Sequence, residues 1–351
     1  MIRLPPGRVM TDLEGVELTA SDRKRLQHPG CAGVILFTRN YRDQAQLTAL
    51  CAEIKSLRDP ALLIAVDHEG GRVQRFRNGF TPIPAMRRIG ELWDQDHDKA
   101  TTIAHDAGHI IGAELGACGI DFSFAPVLDL DYGRSAVIGD RAFHSSTEAV
   151  IRLARSFIAG LNACGMIAVG KHFPGHGAVV ADTHLDIAVD HRELADIEAK
   201  DLLPFIDLCR QDLGGVMPAH VIYDKVDSNP AGFSRYWLRD ILRTRLGFQG
   251  IVFSDDLSMR GAGVAGDAPA RAGAALAAGC DLALVCNAPD DADAVLHTIN
   301  QPDASFDTVR LEKLYRRTRA ALLKNVSEAD GVIAARQRIA DAQLGRSAPI
   351  A

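Results

Sequence analysis

Short apolar runs recur along the chain, each broken by polar residues and each followed by a stretch of helical periodicity. The runs Arg8–Thr11, Gly33–Phe37, Leu62–Val66, Phe122–Pro126, Ile167–Gly170, Gly215–Pro218, Gly250–Ser254 and Leu282–Cys286 predict eight strands in one rhythm. Between them, 147–163 gathers Val150, Ile151, Ala154, Phe157, Ile158 and Leu161 on one face, with Thr147 as its N-cap and Gly165 near its stop. Similar patterns predict helices over 99–118, closed by Gly119, and 234–246, closed by Gly247. Pro204 inside 193–211 predicts a kink or two shorter helices. Gly261, Gly263 and Gly266 predict a mobile loop ahead of an Ala-rich helix at 269–278.

This alternation predicts the α/β class and a single (β/α)8 TIM barrel with long active-site loops over 1–351. Residues 325–351 are expected to form a helix and tail, with no second α/β sandwich domain. A doubly wound open sheet would bind a nucleotide after its first strand, and nothing after Arg8–Thr11 resembles a glycine-rich phosphate loop.

Composition narrows the setting. The 351 residues are 47% hydrophobic, enough for a large core, and the net charge of −6 with scattered Lys and Arg argues against a nucleic-acid partner. No apolar run approaches the roughly 20 residues of a bilayer span, and the N-terminus lacks a signal peptide's apolar core. Seven Cys, without a C-x-x-C pair, read as buried thiols of a reducing compartment. The expectation is a soluble cytoplasmic monomer with no membrane partner.

Candidate chemistry concentrates at Lys171-His172-Phe173-Pro174-Gly175-His176-Gly177, followed by Asp182-Thr183-His184. Pro174, Gly175 and Gly177 break regular structure, so these polar side chains are expected on a loop after Met166–Val169. Barrel active sites gather at the C-terminal strand ends. Those ends also supply Asp67-His68-Glu69, Asp129, Asp131, His220 and Asp255-Asp256. Asp255 fits a nucleophile or a charge stabiliser, and either it or Asp256 fits a cap of the following turn. Asp182, two residues before His184, suits a carboxylate orienting an imidazole that gives and takes a proton; the same pair suits a surface turn. Asp67 offers acceptors and Arg75 donors to a polyhydroxylated ligand, while Arg141 fits that role or a structural ion pair. His172, His176, His184 and Asp182 also resemble a metal-ligand set. The first strand, however, ends in Thr11-Asp12-Leu13-Glu14, not in the His-x-His of metal-dependent barrel hydrolases, so no metal and no cofactor is expected.

Taken in order, Asp67-x-Glu69-Gly70-Gly71-Arg72-Val73-Gln74-Arg75, Ile138-Gly139-x-Arg141-x-Phe143, the Lys171 to Gly177 run with Asp182-x-His184, Met217-x-Ala219-His220 and Phe253-Ser254-Asp255-Asp256-Leu257-Ser258-Met259 resemble the family-three glycoside hydrolases. Within them they are similar to the type that acts in bacterial cell-wall recycling, from about Val9 to Asn287. The resemblance implies a barrel that removes terminal β-linked N-acetylglucosamine from muropeptides ending in 1,6-anhydro-N-acetylmuramic acid, a small-molecule carbohydrate partner. It further implies Asp255 as nucleophile and His184 as general acid/base oriented by Asp182. Asp67, Arg75, Arg141, Lys171 and His172 would hold the sugar hydroxyls, with His220 beside them. Retention of configuration follows. A His where retaining enzymes usually carry a second carboxylate leaves phosphorolysis and substrate-assisted cleavage as alternatives.

Overall fold

Eight parallel strands close on themselves in chain order: β1 (Val9–Thr11), β2 (Cys31–Leu36), β3 (Leu63–Val66), β4 (Phe122–Ser123), β5 (Ile167–Phe173), β6 (Gly215–Pro218), β7 (Ile251–Asp256) and β8 (Leu282–Leu284), which pairs back onto β1. The computed structural model describes residues 2–4, 6–180, 188–210, 213–299, 309–316 and 329–345. Helices cover the outside, so the strands are buried on both faces and read as continuous apolar runs. Inside the barrel Phe122, Phe124 and Phe253 meet with ring centroids 5.3–5.5 Å apart, filling the interior as a packed core.

Three helices matter for the site: α1 (His97–Ala117), α2 (Thr147–Ala163) and α3 (Ala329–Asp341). The cap of α2 is Ser146, whose hydroxyl accepts from Ala149 N, and not Thr147 as the pattern predicts. Pro204 does split its segment, into helices Leu194–Ala199 and Leu203–Leu208. The glycine-rich stretch expected as a loop carries a 3-10 helix over Arg260–Ala265.

The largest departure from the sequence reading is at β5. Lys171, His172 and Phe173 are expected on a loop, yet the strand runs through all three, because its neighbour β6 keeps pairing as far as Phe173. Tertiary pairing therefore overrides the breaking tendency of Pro174 and Gly175 by three residues. Conversely β4 is shorter than predicted, although Phe124 N still donates to the Val66 carbonyl and the Ala125 carbonyl still accepts from Val169 N.

All seven cysteines are buried and none is disulfide-bonded. Burial pushes the Cys31 thiol up to about 11 and the Cys209 thiol to about 12, so both stay protonated at neutral pH. Among the described residues no helix is long and apolar enough to cross a membrane.

Candidate active site

A cleft of about 560 Å³ opens at the C-terminal ends of the strands, within the range of small-ligand sites. Asp67, Arg75, Arg141, Lys171, His172 and Asp255 line it together, with Ile35, Phe124, Met217 and Leu284 as apolar wall. Asp182 and His184 lie outside the described residues.

The polar wall is a connected ion network. Asp67 directly follows β3, and Glu69, two residues on in the short strand His68–Gly70, also lines the cleft. Lys171 Nζ donates to Asp67 Oδ1 at 2.8 Å and lies 2.6 Å from Glu69 Oε1. Arg141 clamps Glu69 with two hydrogen bonds of 2.8 Å and donates a third to the Val137 carbonyl. Glu69 and Lys171 are nearly excluded from solvent, at 2% and 3% side-chain exposure, where an unpaired charge is costly. Burial alone would raise both carboxyls. Arg141 and Lys171 instead hold Glu69 far below its ordinary range, and Lys171 and Arg75 hold Asp67 below its own.

This network fixes three cations against two carboxylates, and Arg75 is its least committed member. Its Nη2 stands 3.6 Å from Asp67, its guanidinium lies 5.6 Å from the Phe37 ring centroid, and its Nε has no hydrogen-bond partner among the described residues. Arg75 is thus placed to donate to a ligand, whereas Arg141 is also the structural ion pair the sequence left open.

His172 enters the cleft through a bulge. Lys171 pairs with Met217 and Phe173 with Pro218, so His172 is the extra residue on β5, and a bulge re-aims the side chain it inserts. Asp129 organises this turn: it accepts from the backbone N–H of His172, from that of His176 at 2.7 Å, and pairs with His172 Nδ1 at 2.7 Å. Burial would raise the Asp129 carboxyl, but the two histidines beside it keep it low. With Nδ1 committed to Asp129, His172 turns its other nitrogen to the cleft. Gly175, at φ +140, backs onto Asp201, and a side chain at Gly177 would collide with the Leu130 carbonyl. Only glycine fits those two places.

Asp255 sits at a second bulge. Phe253 pairs with Leu282 and Asp256 with Leu284, so β7 spends three residues where β8 spends two. The Asp255 carboxylate accepts the backbone N–H of Asp256 at 2.8 Å and faces the cleft. Asp256 also borders the cleft, but its carboxylate is taken: it accepts from Ser258 N, from the Ser258 hydroxyl and from Cys286 N.

Burial raises the Asp256 carboxyl to about 6. Folded Asp256 therefore binds its proton more tightly than the unfolded chain does, so it adds stability at low pH that is lost as pH rises from about 4 towards 6. Urea denaturation of Asp256→Asn against wild type at pH 4.5 and 6.5 is expected to give a variant that gains on wild type at the higher pH.

The sequence reading puts His220 among the ligand-binding groups. In the structure His220 is not among the residues lining the cleft, and its Nε2 lies 3.0 Å from the Asp256 carbonyl, beside the nucleophile candidate. Burial lowers its pKa, which suits a neutral ring donating to that carbonyl. Three further residues in or beside the cleft were given no catalytic or sugar-binding role in the sequence. Glu69 was visible two residues beyond Asp67, and Asp129 as a strand-end carboxylate. His176 is buried in the cleft wall, and neither ring nitrogen has a partner among the described residues. Among those residues no group of three or more His, Cys, Asp and Glu is arranged to hold a metal.

Comparison with known proteins meets this geometry from another side. The chain is 52% identical over 334 residues to the beta-hexosaminidase of Nitrosospira multiformis, covering 95% of this chain and 96% of that one. It is 58% identical over 308 residues to the beta-hexosaminidase of Bordetella avium, covering 88% of each. The crystal structure of NagZ from Neisseria gonorrhoeae in complex with N-trifluoroacetyl-D-glucosamine superposes with a TM-score of 0.89 at 46% identity, over 97% of this chain and 99% of that one. Residues 9–314 match the Glycosyl hydrolase family 3 N terminal domain, a span that runs from β1 past β8 and takes in every strand end on which the cleft is built. On that span, and on relatives aligned along most of their length, the chain belongs to glycosyl hydrolase family 3.

Proposed function

We propose that this glycoside hydrolase of the beta-hexosaminidase type removes a terminal, non-reducing β-linked N-acetylglucosamine from peptidoglycan fragments, with retention and through a covalent glycosyl-aspartate. One observation carries the reading. Asp255, at a bulged strand end, shares a cleft with an ion network whose acceptors and donors suit sugar hydroxyls. The N-trifluoroacetyl-D-glucosamine bound by the Neisseria NagZ supports the choice of sugar.

Asp67 accepts from hydroxyls while Lys171 and Arg75 donate to them, and His172, held by Asp129, offers its free nitrogen. The Asp255 carboxylate then attacks the anomeric carbon as the glycosidic C–O bond breaks. His184, oriented by Asp182, gives its proton to the leaving oxygen. In the second step neutral His184 takes a proton from water, whose oxygen displaces Asp255 and restores the carboxylate. The roles of Asp182 and His184 rest on their spacing and on the family resemblance. A cytoplasmic site of action fits seven cysteines that form no disulfide, and a monomer fits a cleft built from one barrel.

Incubation of the chain with N-acetylglucosaminyl-1,6-anhydro-N-acetylmuramic acid, followed by proton NMR, tests the reading. The β-anomer of free N-acetylglucosamine is expected first. The α-anomer first would contradict it, as would an intact disaccharide. N-acetylglucosamine 1-phosphate in phosphate buffer would make the enzyme a phosphorylase.

A further inference from the structure

Helix α3, at the far end of the chain, reaches the cleft wall through a short relay of side chains. Arg336 Nη2 donates to Glu114 Oε1 at 2.6 Å, and its Nε donates to the Thr81 hydroxyl at 2.8 Å. Glu114, buried on α1, accepts the Thr81 backbone N–H at 2.9 Å and the Thr81 hydroxyl as well. The Thr81 carbonyl accepts from Gln74 Nε2 at 2.9 Å, and Gln74 Oε1 accepts the Ile83 N–H at 3.0 Å. Gln74 is the neighbour of Arg75. The root of the same loop is closed by Gly71 N donating to the Ile83 carbonyl, and by Arg77 donating to the Gly71 carbonyl.

The segment 71–84 is thus one hydrogen-bonded body with two attachments. One is β3, which delivers Asp67; the other is the Glu114–Arg336 pair, from which two hydrogen bonds lead to the residue beside Arg75. Arg75 has no rigid tie of its own to the ion network, so its place depends on the loop that carries it.

We propose that Glu114 and Arg336 form a positioning clasp that sets Arg75 for the sugar, so that the C-terminal helix contributes to ligand binding from outside the cleft. The proposal rests on reading Arg75 as a sugar ligand. A binding group must be held within about 0.5 Å of its productive place. Releasing the clasp therefore weakens binding while the chemistry at Asp255 continues. The fold contains its own control. Arg338, on the same helix, clamps Asp106 of α1 through two bonds of 2.6 Å and is as exposed as Arg336, 48% against 45%. It docks α3 to the same partner and, among the described residues, makes no hydrogen bond to the loop.

The test compares Arg336→Met, Arg336→Lys, Arg338→Met and Arg75→Met on 4-nitrophenyl N-acetyl-β-glucosaminide. KM, kcat, the inhibition constant of N-acetylglucosamine and the melting temperature are measured for each. Arg336→Met is expected to raise KM and the inhibition constant about fivefold with kcat within twofold of wild type. Arg336→Lys should recover part of that loss. Arg338→Met should lower the melting temperature comparably and leave KM unchanged. Equal KM effects from Arg336→Met and Arg338→Met would reduce the clasp to helix docking and overturn the proposal. A loss of binding in Arg75→Met with none in Arg336→Met would overturn it too, leaving the reading of Arg75 intact. No loss in Arg75→Met would overturn both.

Discussion

Replacing Asp255 with Ala is expected to lower kcat/KM on 4-nitrophenyl N-acetyl-β-glucosaminide by about 10⁴-fold, or ~5 kcal/mol of barrier, while the fold is retained. The aryl leaving group needs little protonation, so the loss isolates attack at the anomeric carbon from general acid catalysis. Packing gives no reason for collapse. Asp255 is partly buried at the cleft, and the β7 apolar residues Ile251, Val252 and Phe253 remain in the core. Asp256→Ala is the informative contrast. Its carboxylate holds the Ser258 turn and Cys286 N, so its loss should loosen the strand end and cost less activity than loss of Asp255. Progress curves for the two variants, read beside their circular dichroism, decide the order.

The second large effect is expected at Lys171. Lys171→Met removes the cation shared by Asp67 and Glu69, leaving Glu69 to Arg141 and Asp67 to a loose contact with Arg75. Breaking a buried pair by removing one partner costs about 3–5 kcal/mol of stability, because the remaining charge stays desolvated. Binding suffers as well, since hydrogen bonds to charged groups are worth about 1.5–3 kcal/mol each, and kcat/KM should fall roughly 100-fold. Adding Asp67→Asn to Lys171→Met should return part of the stability and none of the activity, because Asp67 is the carboxylate that loses its close cation while Glu69 keeps Arg141. Urea denaturation separates the two, and additive effects of the pair would mean that Lys171 and Asp67 do not act as one unit.

Much of this site was legible before any coordinates, for reasons that differ residue by residue. The barrel followed from eight apolar runs of similar length, since a buried parallel strand has no polar face to hide its signal. Asp67 and Asp255 could be read because a barrel sends its strand ends to one place, and a carboxylate there has few structural uses. Lys171 and His172, read as loop residues, lie on a strand, and both line the cleft. Pro174 acts locally, whereas the strand is held by β6, some forty positions away in sequence. The placing of His220 shows a related point. A polar residue after a strand looks the same in sequence whether its ring faces the cleft or the Asp256 carbonyl beside it. The bulges at His172 and Asp255 were invisible, because register belongs to pairs of strands. The clasp through Glu114 and Arg336 joins positions more than two hundred residues apart, which no local pattern can pair.

The central claim is that Asp255 forms a covalent bond to the sugar. A fluorinated N-acetylglucosaminyl fluoride, which slows breakdown of a glycosyl-enzyme, tests it most directly when the treated enzyme is digested and its peptides are weighed. The account predicts one added sugar on the peptide containing Phe253-Ser254-Asp255-Asp256, mapped by fragmentation to Asp255, and none in Asp255→Ala. A label on another residue, or turnover of the probe with no label while an oxazoline analogue binds tightly, would contradict it and make the acetamido oxygen the nucleophile.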